Sequence, residues 1–317
     1  MDFVAKKTTE LTTDEVVQIC DVFNKTFEGH STLPKEFLLH YSNTPIGYSF
    51  HSLMISDGKV VGVHNNVPYY YIYQGERCLF AYGGGTMVLK GYRDFFNFMK
   101  LYKVSEKYAL EEGVSYLFGF PNENSHILFV KGFRHRDLTP LNIYITPLRV
   151  GSVKPSLKRL NLISMVVSRF MLWMSNFSLN RNVTTPLVSR DRATFTDCRF
   201  RSKKYLKING EGYEAAYAVS VQNGVKTAFL LDVFPMSPYT FNSAVRAMFT
   251  YTKEDNVGLL MYVGYLPFVP LSMLKLPSKL APKNFYFTGL ILDKNKIDDR
   301  IYKTNNWEVS LADYDLI

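Results

Sequence analysis

The stretch that most constrains the fold is residues 79–133, in which strand-like and helix-like patterns alternate in a fixed order. They indicate a strand, a basic turn, a helix, a second strand, an Asn-rich loop and a short helix. The first strand contains Gly83-Gly84-Gly85, and the second ends in FPNENS. This order places a helix N-terminus directly beyond one strand end, beside a second strand that also ends in a polar loop. The arrangement suits a phosphate-bearing ligand lying across a split between two strands.

The helix of this stretch is predicted over residues 94–112. Its apolar side chains share one broad face, and they are Phe95, Phe98, Met99, Tyr102 and Ala109. Gly113 follows as a C-terminal cap, because glycine adopts the left-handed conformation without strain. Residues 114–120 then form a continuous apolar run, which predicts a strand buried on both faces.

Two hairpins precede this helix, and each is predicted from its turn. The first has Asp57-Gly58 at its tip, a pair that favours tight hairpin turns. The second turns around Gln74-Gly75-Glu76. The predicted strands of the two hairpins are residues 52–56, 59–67, 69–73 and 78–89. Residues 2–8 indicate a short edge strand, and residues 141–147 a final strand of this half.

A second pattern of strands and one helix begins near Phe195. Asn223-Gly224 marks a further hairpin turn. The predicted elements are strands over residues 214–221, 226–233, 258–264 and 285–292, and a helix over residues 240–252. This order echoes the first half, although no residue-level repeat is visible. The predicted fold class is α+β, with a mixed central sheet flanked by helices in residues 1–148. A second, smaller α/β domain follows in residues 183–317, and a degenerate repeat is one interpretation of it.

Residues 149–182 are predicted to be a basic, helical linker, with its helix at residues 160–177. The helix is apolar but short, and Asn161, Arg169 and Asn176 interrupt it, so it does not suit a bilayer-spanning segment.

This linker helix has two interpretations. In the first, it connects the two domains and packs between them. In the second, residues 154–177 lie on a membrane surface as a peripheral contact, with Phe170 and Trp173 inserted and the lysines on lipid phosphates.

The formal net charge is +9. A solvated basic surface, an anionic nucleotide, nucleic acid and an anionic membrane are all compatible with it. Cys20, Cys78 and Cys198 are odd in number and far apart, so they predict neither a disulfide framework nor a metal site. A reducing, cytoplasmic location is therefore expected, and the first ten residues lack the apolar core of a signal peptide.

Three motifs in residues 79–133 resemble the GNAT superfamily of acyl-CoA-dependent N-acyltransferases. They are TMVLKGYR at the first strand end, FPNENS at the second, and KGF after the short helix. Within the superfamily, the chain is most similar to members associated with polysaccharide biosynthesis. The resemblance covers roughly the first 145 residues in the order of their elements.

The resemblance implies acetyl-CoA or another acyl-CoA as cosubstrate and no metal. Pantetheine would take the place of a strand partner in the split, and the helix N-terminus would hold the pyrophosphate. The implied cofactor-binding residues are Thr86, Met87, Val88, Lys90, Gly91, Tyr92, Arg93, Asp94, Phe95, Phe96, Asn122 and Asn124. The glycine triplet would let an acceptor approach the backbone, or would form a bulge.

The chain departs from the family pattern at the phosphate turn. Phe96 and Phe98 occupy positions where the family has glycine or alanine, and they are expected to crowd the phosphates. Asp94 caps the helix but puts a negative charge beside the pyrophosphate position.

The general acid is a second departure. Phe129 stands where many members carry a proton-donating tyrosine. The candidate catalytic residues are Glu123, His126 and Tyr82, since a histidine titrates near neutral pH and can carry a proton. For each, a structural role remains open: a helix cap for Glu123, an exposed helix start for His126 and a core position for Tyr82.

The predicted function is transfer of an acetyl or other acyl group from CoA to a small-molecule amine, with an amino sugar as one acceptor. One alternative is a catalytically silent GNAT-fold binding module that has lost the cofactor site. The other is a Fem-type aminoacyltransferase, a group that resembles two fused GNAT-like domains and takes its donor from charged tRNA.

Overall fold

The computed structural model describes residues 1–27, 31–179, 183–200, 203, 205–222 and 224–314. The strands are β1 (Asp2–Lys7), β2 (Phe50–Ser56), β3 (Lys59–Tyr73), β4 (Glu76–Val88), β5 (Tyr116–Gly119), β6 (Arg136–Leu138), β7 (Asn142–Pro147), β8 (Val188–Arg190), β9 (Leu206–Gly210), β10 (Tyr213–Gln222), β11 (Val225–Phe234), β12 (Leu259–Gly264), β13 (Leu274–Lys275) and β14 (Phe287–Ile291). The α-helices are α1 (Thr13–Thr26), α2 (Pro34–Ser42), α3 (Phe95–Glu111), α4 (Glu123–Ile127), α5 (Val150–Val153), α6 (Asn161–Met174), α7 (Arg192–Phe195) and α8 (Pro238–Tyr251).

These elements form two mixed sheets with helices, which confirms the predicted α+β class. The first sheet has the order β1-β2-β3-β4-β5-β14-β6, with β8 paired to β3. The second has the order β13-β7-β12-β11-β10-β9. The strand predicted at residues 2–8 lies at the edge of the first sheet, as expected.

Helices cover both faces of the first sheet. Neighbouring residues on β2 point to opposite faces, and they contact different helices. Leu53 packs in a core cluster with residues of α1 and α2. Its neighbour Met54 packs in a different cluster with Leu101 of α3. The long β3 and β4 are therefore buried strands for much of their length.

The local sequence signals around this sheet predict the observed geometry. Asp57 and Gly58 have φ of 51° and 74°, and Gln74 and Gly75 have φ of 52° and 86°, as tight hairpin turns require. Gly113 ends α3 with φ of 84°. The predicted hairpin turns and the predicted long helix are confirmed. The separation of strands 59–67 and 69–73 is wrong, because β3 runs without a break from Lys59 to Tyr73 and Pro68 lies within it, opposite Ala81.

The second sheet repeats the central motif of the first. In the first sheet, the β3–β4 hairpin is followed by α3 and by β5, which runs parallel to β4. In the second, the β10–β11 hairpin is followed by α8 and by β12, which runs parallel to β11. Gly224 of the β10–β11 turn has φ of 78°, and Asn223 lies outside the described residues. The predicted echo between the halves is thus present at the level of topology.

The chain passes between the two compact units more often than contiguous domains would require. One unit comprises Met1–Thr139, Leu187–Ser202 and Phe285–Trp307, and the other comprises Pro140–Pro186, Lys203–Asn284 and Glu308–Ile317. As a consequence, two of the predicted strands belong to a different sheet from the one expected from their place in the sequence. β7 pairs with β12 in the second sheet, and β14 pairs with β5 in the first. The limits of the units do not coincide with residues 148 and 182, and domains with those boundaries stay a prediction.

The helix predicted at residues 160–177 is confirmed as α6 with a 3₁₀ turn on either side. Within the described ranges, no helix has both the length and the apolar character needed to cross a membrane.

An aromatic cluster around Trp307 fixes the return of the chain to the first sheet. Trp307 is 2% exposed, and its indole Nε1 donates to the Ile301 carbonyl oxygen over 2.6 Å. Its ring contacts five aromatic side chains of the sheet, with centroids 5.0–6.0 Å apart. These are Tyr71, Phe80, Tyr116, Phe118 and Phe287. The cluster joins β3, β4, β5 and β14 from one side.

We expect Trp307→Ala to lower the free energy of unfolding by about 3–5 kcal/mol, because it leaves a large cavity among rings that cannot collapse into it. Trp173→Ala is the matched control. Trp173 is 55% exposed, so its removal should change the free energy by no more than about 0.5 kcal/mol. Urea unfolding of the three proteins measures both values, and equal losses would contradict the assigned role of the cluster.

Candidate functional site

The sheet of the first unit splits between β4 and β5. The two strands pair in parallel only from Phe80 with Tyr116 to Tyr82 with Phe118. β4 continues for six more residues and remains paired with β3 as far as Val88. On its other side, no strand of the described chain pairs with residues 83–88. Gly83, Gly84 and Thr86 are half-buried and Gly85 is exposed, although β4 is a central strand.

A β-bulge lies in this open part of β4. Val63 is paired with Met87, and Asn65 is paired with Gly84. His64 therefore stands opposite two residues, Gly85 and Thr86. Gly85 has φ of 61°, a left-handed conformation that favours glycine. Of the two roles considered for the glycine triplet, the bulge is confirmed.

Asn65 holds the bulge from the side of α1 and α2. Its amide Nδ2 donates to the Gly85 carbonyl oxygen over 3.2 Å and to the Tyr41 hydroxyl over 3.0 Å. Its Oδ1 lies 2.8 Å from His51 Nδ1, and His51 Nε2 lies 2.9 Å from Thr8 Oγ1. This chain of buried polar contacts fixes the conformation of β4 where it leaves β5.

His64 contacts the bulge on the side of α3. Its Nδ1 lies 2.7 Å from Thr86 Oγ1, and its ring centroid is 5.3 Å from that of Tyr102. Tyr102 hydrogen-bonds to His135. Burial lowers the pKa of His64 to about 4 and that of His135 to about 3, so both rings are neutral at physiological pH.

The turn after β4 brings two basic side chains to the start of α3. Lys90 and Arg93 are both exposed, and Arg93 Nε donates to the Val88 carbonyl oxygen over 2.6 Å. Asp94 caps α3 by accepting from the Asn97 backbone N–H over 2.9 Å. The predicted cap is confirmed, and the Asp94 carboxylate accepts a hydrogen bond from one of the free N–H groups at the helix start.

The two phenylalanines at the phosphate turn do not share one environment. Phe96 is 73% exposed at the helix start, in edge contact with Phe95. Phe98 packs against the hydrophobic core. Its ring is therefore directed to the core, which differs from the expectation that both rings crowd the same approach.

The Asn-rich loop starts α4 immediately after β5. Asn122 caps this helix by accepting from the Ser125 N–H over 3.0 Å, and its neighbours Glu123 and Asn124 are exposed. Phe129 is 8% exposed and packs against Tyr102.

His126 is the candidate acid whose position is fixed by other groups. Its Nε2 lies 2.5 Å from Asp137 Oδ1, and its ring stacks on Tyr286 with centroids 4.0 Å apart. Tyr82 differs, because it is 8% exposed and packs against Phe118 and Phe120. The structure thus places Tyr82 in the core, and Glu123 and His126 at the surface of the loop and helix that follow β5.

Sequence analysis overlooked the polar residues that support the bulge. No role was predicted for Asn65, Asn66 or His135, and Tyr102 was predicted only as part of the apolar face of α3. The Asn66 side chain donates to Ser105 of α3. A signal was present, since residues 64–66 are three consecutive polar side chains in an otherwise apolar strand. Buried polar groups require partners, so such a run indicates a polar network.

The second unit has the same split, but its own chain fills it. β11 pairs with β12 only as far as Leu230 with Tyr262, and a bulge follows at Leu231. Ser310 forms a bridge with Gly264, and its hydroxyl donates to the Leu231 carbonyl oxygen. The Tyr265 N–H donates to the Val309 carbonyl oxygen over 3.1 Å. The segment at residues 309–310 therefore occupies the place that is open beside β4.

Among the residues that the structure describes, no cluster of histidine, cysteine and carboxylate side chains could hold a metal ion.

The buried histidines predict an acid-sensitive fold. The folded-state pKa of His64 is about 4, below its ordinary value of 6.5, so between these values only the unfolded chain is protonated at this residue. Its contribution to stability is complete above pH 6.5 and is lost as the pH falls towards 4, at up to about 1.4 kcal/mol per pH unit.

We expect His64→Gln to reduce the difference in unfolding free energy between pH 7 and pH 5 by about 2 kcal/mol. His51→Gln should act in the same direction, because burial also lowers the pKa of His51 to about 4. Urea titrations at the two pH values provide the measurement. A difference that is the same in wild type and in both variants would contradict the assignment.

Sequence comparison does not identify relatives of this chain. No family model matches it, and neither does any curated protein.

Comparison of structures does find proteins with a similar fold. The chain is similar to a conserved protein of unknown function from Enterococcus faecalis V583, described as a probable N-acyltransferase. The TM-score is 0.59 at 11% identity, over 92% of this chain and 73% of that one. It is also similar to a GCN5-related N-acetyltransferase from Kribbella flavida, with a TM-score of 0.56 at 11% identity over 92% and 71%. Eis1 from Mycobacterium abscessus gives a TM-score of 0.52 at 12% identity over 92% and 74%.

Each of these similarities covers most of both chains, whereas the sequence identities are low. They therefore establish the fold, and the resemblance to the polysaccharide-associated members stays a prediction. The elements β4, α3, β5 and α4 occur in the order that residues 79–133 predicted. The chain has a GNAT-like α+β fold.

Proposed function

We propose that the first unit binds an acyl-CoA and transfers its acyl group to a small-molecule amine. The observation that carries this proposal is the split in the sheet, where residues 83–88 of β4 lose β5 as a partner. An open strand edge inside a sheet can pair with an extended chain that carries amide groups. Pantetheine is such a chain. The structural relatives described as N-acetyltransferases support the same chemistry.

The residues present fit the pantetheine arm. Thr86, Met87 and Val88 end β4, and their backbone groups would pair with its amides. When bound, the cofactor supplies an acyl group as a thioester that an amine can attack. N–H groups on the open edge of residues 83–88 would stabilise the oxyanion that develops on the thioester carbonyl. The bulge at Gly85 and Thr86 fixes their direction before any ligand arrives.

The pyrophosphate end would rely on side chains more than the family pattern does. Lys90, Gly91, Tyr92 and Arg93 form the turn, and the N–H groups of Phe95 and Phe96 begin α3. Asp94 opposes an anion here, because its carboxylate already caps the helix. We infer that the two basic side chains offset this charge, and that affinity for CoA is moderate as a result.

The reaction requires a side chain that can transfer a proton, because Phe129 stands at the position of the family's tyrosine and has no proton to donate. His126 is our candidate, since it lies in α4, the helix directly after β5, and Asp137 and Tyr286 orient its ring. The Asp137 carboxylate favours the neutral tautomer with the proton on Nε2, so Nδ1 can accept a proton and can donate it once the ring is protonated. Asn122, Glu123 and Asn124 would line the same loop. Tyr82 is a weaker candidate because it lies in the core.

The acceptor in this proposal is a small amine, and amino sugars are the first class to assay. Asn65 and Tyr41 approach Gly85 from one side, but Gly85 is exposed, and its exposed backbone would admit an acceptor close to the strand.

We expect Asp94→Asn to strengthen acetyl-CoA binding about 2–5-fold, because asparagine also caps helices but carries no charge. Asp298→Asn is the matched control. Asp298 caps a 3₁₀ helix at residues 299–302, so its replacement should leave the affinity unchanged. Isothermal titration measures the three dissociation constants, and release of free CoA thiol with a panel of amines then measures transfer.

Two results would contradict the proposal. If neither the wild type nor Asp94→Asn binds acetyl-CoA at millimolar concentration, a silent binding module is favoured instead. If the protein binds acetyl-CoA but Asp94→Asn and Asp298→Asn change the affinity equally, the pyrophosphate does not lie at the start of α3.

A further inference from the structure

The helix α6 has an inner side that is anchored to the second unit. Ser168 Oγ donates to the Pro147 carbonyl oxygen over 2.8 Å, and Ser164 donates to the same oxygen. Leu172 is 5% exposed and belongs to the core cluster of this unit. Ser175 is also buried. The orientation of the helix about its own axis is fixed by these contacts.

The opposite side of α6 is apolar and exposed. Six large apolar side chains there are between 46% and 67% exposed. They are Leu162, Ile163, Val166, Val167, Phe170 and Trp173. At about 100° per residue they span an arc of roughly 140°, centred opposite the buried serines. A contiguous exposed patch of this kind marks a surface that contacts a partner.

The charged residues of the chain segment that contains α6 have one sign. Residues 138–190 contain seven lysine and arginine residues and neither aspartate nor glutamate. Lys154, Lys158, Arg159 and Arg169 are exposed. None of these four forms an ion pair with another residue in the described part of the chain. The apolar side of α6 is therefore flanked by uncompensated positive charge.

We propose that this side of α6 lies on an anionic lipid surface. An interfacial helix needs an apolar face, aromatic side chains that enter the acyl boundary and cations that contact lipid phosphates. Phe170 and Trp173 supply the aromatic groups, with ring centroids 5.8 Å apart. A spanning arrangement is not available to α6, which has 14 residues.

A second copy of the chain fits this surface less well. A symmetric dimer would place the same face of both copies together. The basic flanks of the two helices would then meet, and residues 138–190 offer no acid to separate them. An anionic lipid surface satisfies both the apolar face and its charge.

Trp173 provides a direct reporter, because the chain contains two tryptophans and Trp307 is buried in the aromatic cluster. Phosphatidylcholine vesicles and vesicles of equal parts phosphatidylcholine and phosphatidylglycerol are the two probes. We expect sedimentation with the anionic vesicles only, accompanied by a blue shift of the emission. Added salt should weaken the binding.

Two variants separate the apolar and the charged contributions. Val166→Asn with Phe170→Asn should abolish the blue shift, and Val269→Asn with Leu280→Asn, at exposed apolar positions elsewhere, should not. Replacing Lys158, Arg159 and Arg169 by Glu should lower vesicle partitioning on the order of 100-fold. Replacing Lys275, Lys279 and Lys294, which are equally exposed, should have a much smaller effect.

The proposal is overturned if the protein sediments equally with both vesicle types, or with neither. It is also overturned if light scattering shows a dimer that Val166→Asn with Phe170→Asn dissociates in the absence of lipid. Because the readouts are sedimentation and Trp173 emission, they do not depend on whether the first unit transfers acyl groups.

Discussion

The bulge of β4 opposite His64 is the constraint on which the candidate site depends. It allows β4 to stay paired with β3 after its pairing with β5 has ended, so that this central strand has one free edge. Two sets of buried polar contacts hold this geometry, one through Asn65 and one through His64. Breaking either set would leave polar groups unpaired in the core. The free edge is therefore a built feature of the folded protein, present without a ligand.

The two units show what the same motif becomes with and without an open edge. Each has a hairpin, a helix and a parallel strand, and each has a bulge near the end of the parallel pairing. In the second unit, Val309 and Ser310 take up the free backbone groups of the split. Backbone polar groups must be satisfied, and here the chain itself satisfies them. The proposed acyl-CoA site is therefore assigned to the first unit, where the edge of β4 is open.

The sequence was sufficient for those parts of the fold that depend on local chemistry. The hairpin turn at Asp57-Gly58, the cap at Asp94 and the end of α3 at Gly113 each require a particular residue type. The resemblance of TMVLKGYR, FPNENS and KGF to the GNAT superfamily then predicted the fold.

Contacts between distant parts of the chain could not be predicted in this way. Trp307 packs on the first sheet from more than 180 residues beyond Phe118, and β7 joins the second sheet although it follows the first half in sequence. Neither position carries a local signal, because such pairings depend on burial in the complete fold. For the same reason, only part of the candidate site could be predicted from the sequence. Lys90, Arg93 and Asn122 were predicted from motifs, whereas the support that Asn65 gives to Gly85 was visible only in the structure.

The most direct measurement is hydrogen–deuterium exchange of the backbone amides with and without acetyl-CoA. Pairing of the pantetheine arm with β4 predicts slower exchange at residues 83–88 when acetyl-CoA is present. It predicts no change at residues 231–234 of β11, where the chain already fills the split. Unchanged exchange along β4 under conditions in which acetyl-CoA binds would contradict the central claim.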